Sequence, residues 1–208
     1  MTQRQRSILI GMILGDAYIQ STGKKNARIR LEQSLKQKDY LMWKGEQFPE
    51  FFQGKPTKLV RFNEKFGKSY EYIRWQSNSS PEIGRMRKHF YEENGKKIVP
   101  GDIREILTDP LSVAVWYMDD GYYYHRDKIA YIYLSNYSSL EFELLISTLK
   151  NNFSLSPGLK KKTLGWCFVF SVSDTEKLLS LVEPHIIGSM KSKLPFDPVS
   201  TIRLARMT

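Results

Sequence analysis

Two apolar runs, each ending in an acid, constrain this chain more than any other feature: "SILIGMILGDAYI" at residues 7–19 and "LSVAVWYMDDGYYY" at residues 111–124. Aligning Asp16 with Asp120 brings Tyr18 onto Tyr122 and puts a small residue, Ala17 or Gly121, directly after each acid. The acids stand 104 residues apart in a chain of 208, so the runs mark an internal repeat of half the length. A lone run of this kind reads as a core helix. Two of them at this spacing predict a packed helix pair, and Gly11 and Gly15, four residues apart on one face, leave room for a close approach. Such packing brings Asp16 and Asp120 together, and paired carboxylates repel unless a cation lies between them. With one cysteine and three scattered histidines, the oxygen ligands suit Mg²⁺ better than zinc.

The segments after the two runs correspond as well. "TGKKNARIRLEQS" and "HRDKIAYIYLSN" read as hairpins, and the helical stretches "QKDYLMWKGEQF" and "SSLEFELLISTLKNNF" come after them. A second strand pair comes next in each half, "TKLVRFNEKFGKSYEYIRWQS" and "GLKKKTLGWCFVFSVS", turning at "EKFGKS" and "TLG". Closing helices, "SPEIGRMRKHFYEEN" and "SDTEKLLSLVEPHI", enter through Ser, Pro or Asp. The order αββαββα therefore occurs twice. Between the copies, "GKKIVPGDIREILTDP" carries Gly95, Pro100, Gly101 and Pro110 and has room for a short helix at most, which places the boundary near residue 100, with repeats at 1–100 and 101–208.

A net charge of +10 favours a polyanionic partner, with nucleic acid leading. Residues 24–76 hold thirteen Lys or Arg against six Asp or Glu, so the charge is concentrated on the first half's strands. In "ARIRLEQS", alternation puts Ala27, Ile29 and Leu31 on one face and Arg28, Arg30 and Glu32 on the other. In "SYEYIRWQS", Tyr70, Tyr72, Arg74 and Gln76 share a face opposite Ile73 and Trp75. Such a basic outer face can read DNA, because β-ribbons fit the major groove, Arg pairs with guanine, Gln with adenine, and Lys neutralises phosphate. The candidate contacts are Lys24, Lys25, Arg28, Arg30, Lys58, Arg61, Tyr72, Arg74 and Gln76, with Tyr131, Tyr133, Lys160, Lys161 and Lys162 in the second half. Cys167, in "WCFVFSV", reads as a buried thiol. No run reaches the roughly 18 apolar residues of a membrane span, and the N-terminal apolar stretch meets an acid at Asp16, which speaks against export. An intracellular protein is expected, in an organelle (mitochondrion or chloroplast) or a prokaryotic cytoplasm.

The residues "LIGMILGDAYI" and "LSVAVWYMDDGYY" resemble the paired motifs of single-chain, two-repeat LAGLIDADG homing endonucleases, the second in the W-Y/F-M-D-D-G form of an intron-encoded subgroup. Leu14 and Met118 stand at the nominal sixth-position Asp, Ala17 replaces the first copy's final Gly, and Val115 replaces a Gly of the second. Two further stretches, "KKIVP" and "KSKLP", are similar to ones that in the subgroup carry a lysine to each active centre, and Lys97 and Lys193 stand at the matching positions. The resemblance implies an α+β fold: a pseudo-twofold pair of αββαββα repeats, two saddle-shaped antiparallel sheets and a central two-helix interface. It implies hydrolysis of both strands of a long asymmetric double-stranded DNA target, leaving short 3′ overhangs. Asp16 and Asp120 would be the metal ligands, two or more Mg²⁺ ions the cofactor, and Lys97 and Lys193 the groups acting on the attacking water or the phosphorane charge. One chain would act as a monomer. An RNA maturase binding intron RNA and a non-catalytic DNA-binding protein are the alternatives of the same fold. Asp119, opposite Gly15 in the alignment, has no role assigned to it by the sequence.

Overall fold

The computed structural model describes residues 1–163 and 165–195. The first half runs α1 (Gln3–Leu14), β1 (Tyr18–Ser21), β2 (Ala27–Ser34), α2 (Lys38–Glu46), β3 (Thr57–Asn63), β4 (Lys68–Gln76) and α3 (Pro81–Phe90). One short helix, α4 (Ile103–Ile106), lies in the connection. The second half repeats the order as α5 (Pro110–Asp120), β5 (Gly121–Tyr124), β6 (Ile129–Tyr133), α6 (Ser139–Phe153), β7 (Gly158–Lys162), β8 (Gly165–Val169) and α7 (Val172–Val182). Each half is thus αββαββα, as the sequence predicts, and each forms a four-stranded antiparallel sheet, ordered β1-β2-β4-β3 and β5-β6-β8-β7. The turn expected at 163–165 includes residue 164, which lies outside the described residues, as do residues 196–208 of the second repeat.

The helix starts reflect local chemistry. Thr2 and Gln5 form a reciprocal cap on α1, each backbone N–H donating to the other's side chain at 2.7 and 3.2 Å. Asp109 caps α5, accepting from the Leu111 N–H at 2.9 Å, and Pro110 fits the first helical position because its missing N–H has no partner there anyway. Beyond these caps, every residue from Ser7 to Leu14 and from Leu111 to Met118 is buried. A helix apolar on all sides belongs in the interior, and these two pack against each other at the centre of the molecule. Gly11 sits on that seam: a Cβ there would overlap the Ser112 carbonyl oxygen and lie 2.8 Å from Val115 Cβ. The Ser112 hydroxyl donates across the seam to the Ser7 carbonyl at 2.8 Å, so the close approach leaves that polar group satisfied.

Strand alternation sets which side chains each sheet turns outward. In β2, Ala27, Ile29, Leu31 and Gln33 are buried while Arg28, Arg30 and Glu32 are half-exposed. Cross-strand partners share a face, so pairing Arg30 with Gln76, Glu32 with Arg74, Leu59 with Tyr72 and Arg61 with Tyr70 continues one outer surface across the sheet. In the second sheet, Tyr122 pairs with Tyr131, Tyr133 with Cys167 and Lys160 with Cys167 on the corresponding face. Cys167 shares that face and is nevertheless buried, as expected, under its neighbours.

Candidate active site

The apolar seam ends where α1 and α5 run out, and there the charges emerge. Gly15 closes α1 against Asp119, whose Cβ would lie 2.7 Å from a Cβ at Gly15. The Asp16 N–H donates to Asp119 Oδ2 at 3.2 Å, and Gln33 Nε2 donates to Asp16 Oδ2 at 3.0 Å and to Asp119 Oδ1 at 3.5 Å. Lys44 Nζ reaches Asp119 Oδ1 at 2.8 Å, with both side chains buried. Asp16 and Asp120 thus flank a third carboxylate that is already neutralised from below.

Two lysines bracket the cluster. Lys97, bridged in short β fashion to Tyr91, donates to the Gly15 carbonyl at 2.8 Å. Lys193 donates to the Gly121 carbonyl at 2.7 Å and to the Asp119 carbonyl at 3.4 Å. The Tyr117 hydroxyl anchors this segment by donating to the Lys193 carbonyl at 2.9 Å. Each cation therefore sits at the carbonyl end of one central helix, where the helix dipole favours positive charge. The structure brings together all four residues expected at the centres: Asp16, Asp120, Lys97 and Lys193.

The electrostatics of this cluster are those of a site short of positive charge. Burial, then Asp16 and Asp119, push the Asp120 carboxyl up to about 8. The protein packed around Asp16, and then Asp119, raise its carboxyl too, against the opposing pull of Lys44, Gln33 and Lys97. Burial lowers both Lys97 and Lys193, while the three acids oppose that fall. Two carboxylates that resist ionising beside each other suit an added cation. Among the described residues, no group of three or more His, Cys, Asp or Glu side chains is placed to hold a metal by itself.

Each acid opens onto a cleft. Asp16, Tyr18, Arg30 and Glu32 line one of about 300 Å³; Asp119, Asp120, Gly121, Tyr122, Tyr133 and Lys193 line another of about 380 Å³. Around the first cleft, Glu32 gathers three guanidiniums, with Arg61 at 2.5 Å, Arg74 at 2.6 Å and Arg30 at 3.3 Å. Burial alone would raise Glu32, but Arg74, Arg30 and Arg61 outweigh it and hold its carboxyl below the ordinary range.

The expected DNA contacts divide by strand parity. Arg28, Arg30, Arg61, Tyr72, Arg74 and Gln76 lie on the outer face of the first sheet, and Tyr133, Lys160 and Lys162 on that of the second. Lys24 and Lys25 lie in the exposed β1–β2 turn. Lys58 and Lys161 lie apart from these: they pair with Ile73 and Trp166, stand an odd number of residues from Arg61 and Lys160 along their strands, and point to the opposite face. There Lys58 pairs with Glu71, and Lys161 lies over the Trp166 ring. Tyr131 faces outward but is only 6 % exposed, with Lys162 Nζ 3.7 Å from its ring centroid, so Lys162 covers it. Gln33 and Lys44 join the site although sequence reasoning passed over them. Gln33 is the polar exception at the end of the inward series Ala27, Ile29, Leu31; Lys44 comes after Tyr40 and Leu41 on the buried side of α2.

Comparison with known proteins agrees with this geometry. A probable intron-encoded endonuclease 1 of Wickerhamomyces canadensis is 30% identical over 203 residues, covering 95% of this chain and 86% of the relative. A cytochrome b mRNA maturase bI2 of Debaryomyces hansenii is 27% identical over 192 residues, covering 90% of this chain and 72% of the relative. The solved structure of the homing endonuclease I-WcaI bound to its DNA recognition sequence superposes with a TM-score of 0.85 at 29% identity, covering 94% of this chain and 88% of that one. The model of the LAGLIDADG DNA endonuclease family matches residues 6–178, a span that takes in both acid-ended apolar runs, both sheets and Lys97, and the chain belongs to that family.

Proposed function

We propose that the protein is a site-specific endonuclease that cuts both strands of a double-stranded DNA target with Mg²⁺. The observation that carries this reading is the convergence of Asp16 and Asp120 at the ends of two abutting helices, with Lys97 and Lys193 beside them and an Arg- and Lys-bearing sheet face on either side. Asp16 and Asp120 would hold the metal, which when bound supplies an activated water and stabilises the leaving oxygen. The chain's own part is placement. Arg28, Arg30, Arg74 and Gln76 offer forks and an amide to base edges, while Lys160 and Lys162 face the phosphates. Lys97 and Lys193, with ammonium groups destabilised by burial, are suited to hold or pass a proton at a scissile phosphate oxygen. Having both acids on one chain, the protein would act as a monomer, and the unlike faces favour an asymmetric target.

The test is cleavage of a plasmid library of candidate insertion sites with Mg²⁺, with Ca²⁺ and with chelator. Linear product only with Mg²⁺, carrying short 3′ overhangs, is the expected result; binding without cutting at any site defeats the reading. The maturase relative supports a second reading in which intron RNA is the partner, and competition between target DNA and a folded intron transcript separates the two.

Two predictions concern specificity. Arg74→Ala should cost about 1–3 kcal/mol of discrimination at one base pair of the target, whereas Lys161→Ala should leave specificity unchanged; competition binding against single-base variants checks both. Glu32→Gln frees three guanidiniums for phosphate. Non-specific DNA affinity should then rise roughly tenfold at low salt, with a steeper salt dependence, as read by anisotropy titrations on random duplex.

A further inference from the structure

The buried Lys44–Asp119 pair breaks the internal symmetry at both of its members. Gly15 occupies the position of Asp119 in the first repeat. Aligning α2 and α6 from their first residues, Lys38 on Ser139, brings buried Leu41 onto buried Phe142 and puts Leu145 opposite Lys44. One copy thus fills these places with Leu and Gly, and the other with an ion pair whose side chains are 1% and 0% exposed. The fold itself does not call for the charges, since a buried ion pair commonly contributes no more stability than apolar residues of similar volume.

The pair does hold the first centre. Lys44 fixes Asp119 Oδ1; Asp119 Oδ2 accepts the Asp16 N–H at 3.2 Å; Gln33 spans the Asp119 and Asp16 carboxylates. The Tyr40 ring lies 4.3 Å from Lys44 Nζ and closes the far side. In the second centre Leu134 comes after the inward residue Ile132 at the place Gln33 takes in β2, and among the described residues no side chain donates to the Asp120 carboxylate.

We propose that Lys44 and Asp119 are positioning residues that preset Asp16 for its metal and phosphate, so that the two centres cut their strands at unequal rates. This rests on the endonuclease reading and extends it to the order of cutting.

The experiment compares the wild type with K44L/D119A, which makes the pair apolar, and with K44Q/D119N, which keeps a neutral acceptor for the Asp16 N–H. Amide exchange at Asp16 should quicken about tenfold or more in K44L/D119A and stay close to wild type in K44Q/D119N, with the rest of α1 unchanged. On a target labelled on both strands, the ratio of the two nicking rates should shift about tenfold or more in K44L/D119A and recover in K44Q/D119N, with affinity in Ca²⁺ unaltered. Unchanged Asp16 exchange, equal slowing of both strands, or failure of K44L/D119A to fold each overturns the proposal. If the wild type cuts neither strand, the endonuclease reading falls, and the exchange measurement still decides whether the pair positions Asp16.

Discussion

Asp120→Asn should lower double-strand cleavage by on the order of 10³-fold or more while leaving target affinity in Ca²⁺ nearly unchanged, and Asp16→Asn should do the same. The amide keeps the size of the side chain but offers the metal a neutral ligand where the charge is needed. The same change should make the metal-free protein more stable at neutral pH. Burial and its two acidic neighbours push Asp120 up to about 8, well above the ordinary carboxyl value of 3.8. Between those two values the folded chain binds more protons at this site than the unfolded chain does. Stability in chelator should therefore fall as pH rises through that window, and the amide should remove that part of the slope. On the proposed reading, in which Asp120 holds the metal, Mg²⁺ would compete with the same proton, so the concentration giving half-maximal cleavage should fall as pH rises from about 6 towards 8. Thermal unfolding in chelator and Mg²⁺ titrations across pH check both halves. If Asp119→Asn eliminates cleavage and Asp120→Asn does not, the assignment of the second acid is wrong.

The central helices are legible in the sequence because a repeat tests itself: Asp16 and Asp120 fall in register only if the flanking Tyr18 and Tyr122 also align. The outer face of β2 and β4 is legible for a similar reason, since alternation fixes parity along each strand. Parity also separates what charge alone groups. Charge groups Lys58 and Lys161 with Arg61 and Lys160, although a strand step of one or three residues reverses the face. Tyr131 has the right parity, yet Lys162, 31 residues further along, covers it. Lys44 is hidden for a deeper reason. Its partner, Asp119, lies 75 residues away on the other repeat, so no local pattern on α2 says that the charge is paired. The three guanidiniums on Glu32 likewise come from β2, β3 and β4 and meet only through register.

Gly11→Ala should destabilise the protein by about 3 kcal/mol, a fall of roughly 10 °C in Tm for a chain of this length. Alanine is the better helix former by about 1 kcal/mol, so a propensity argument alone predicts the opposite sign. Packing decides the outcome. The new methyl would overlap the Ser112 carbonyl oxygen and lie 2.8 Å from Val115 Cβ, and backbone within a fully buried helix pair has no free space to yield into. Relief comes only from separating α1 and α5, which would stretch the Ser112–Ser7 hydrogen bond of 2.8 Å and move Asp16 away from Asp119. Cleavage at a temperature where the variant remains folded should therefore fall further than DNA binding, because the sheets keep their faces while the acids lose their spacing. Gly101→Ala is the matched control: nothing lies within 4 Å of a Cβ there, and its Tm should stay within about 2 °C of wild type. Differential scanning calorimetry of both variants decides the point, and a Gly11→Ala protein as stable as the control would mean that the helix seam is looser than its glycine implies.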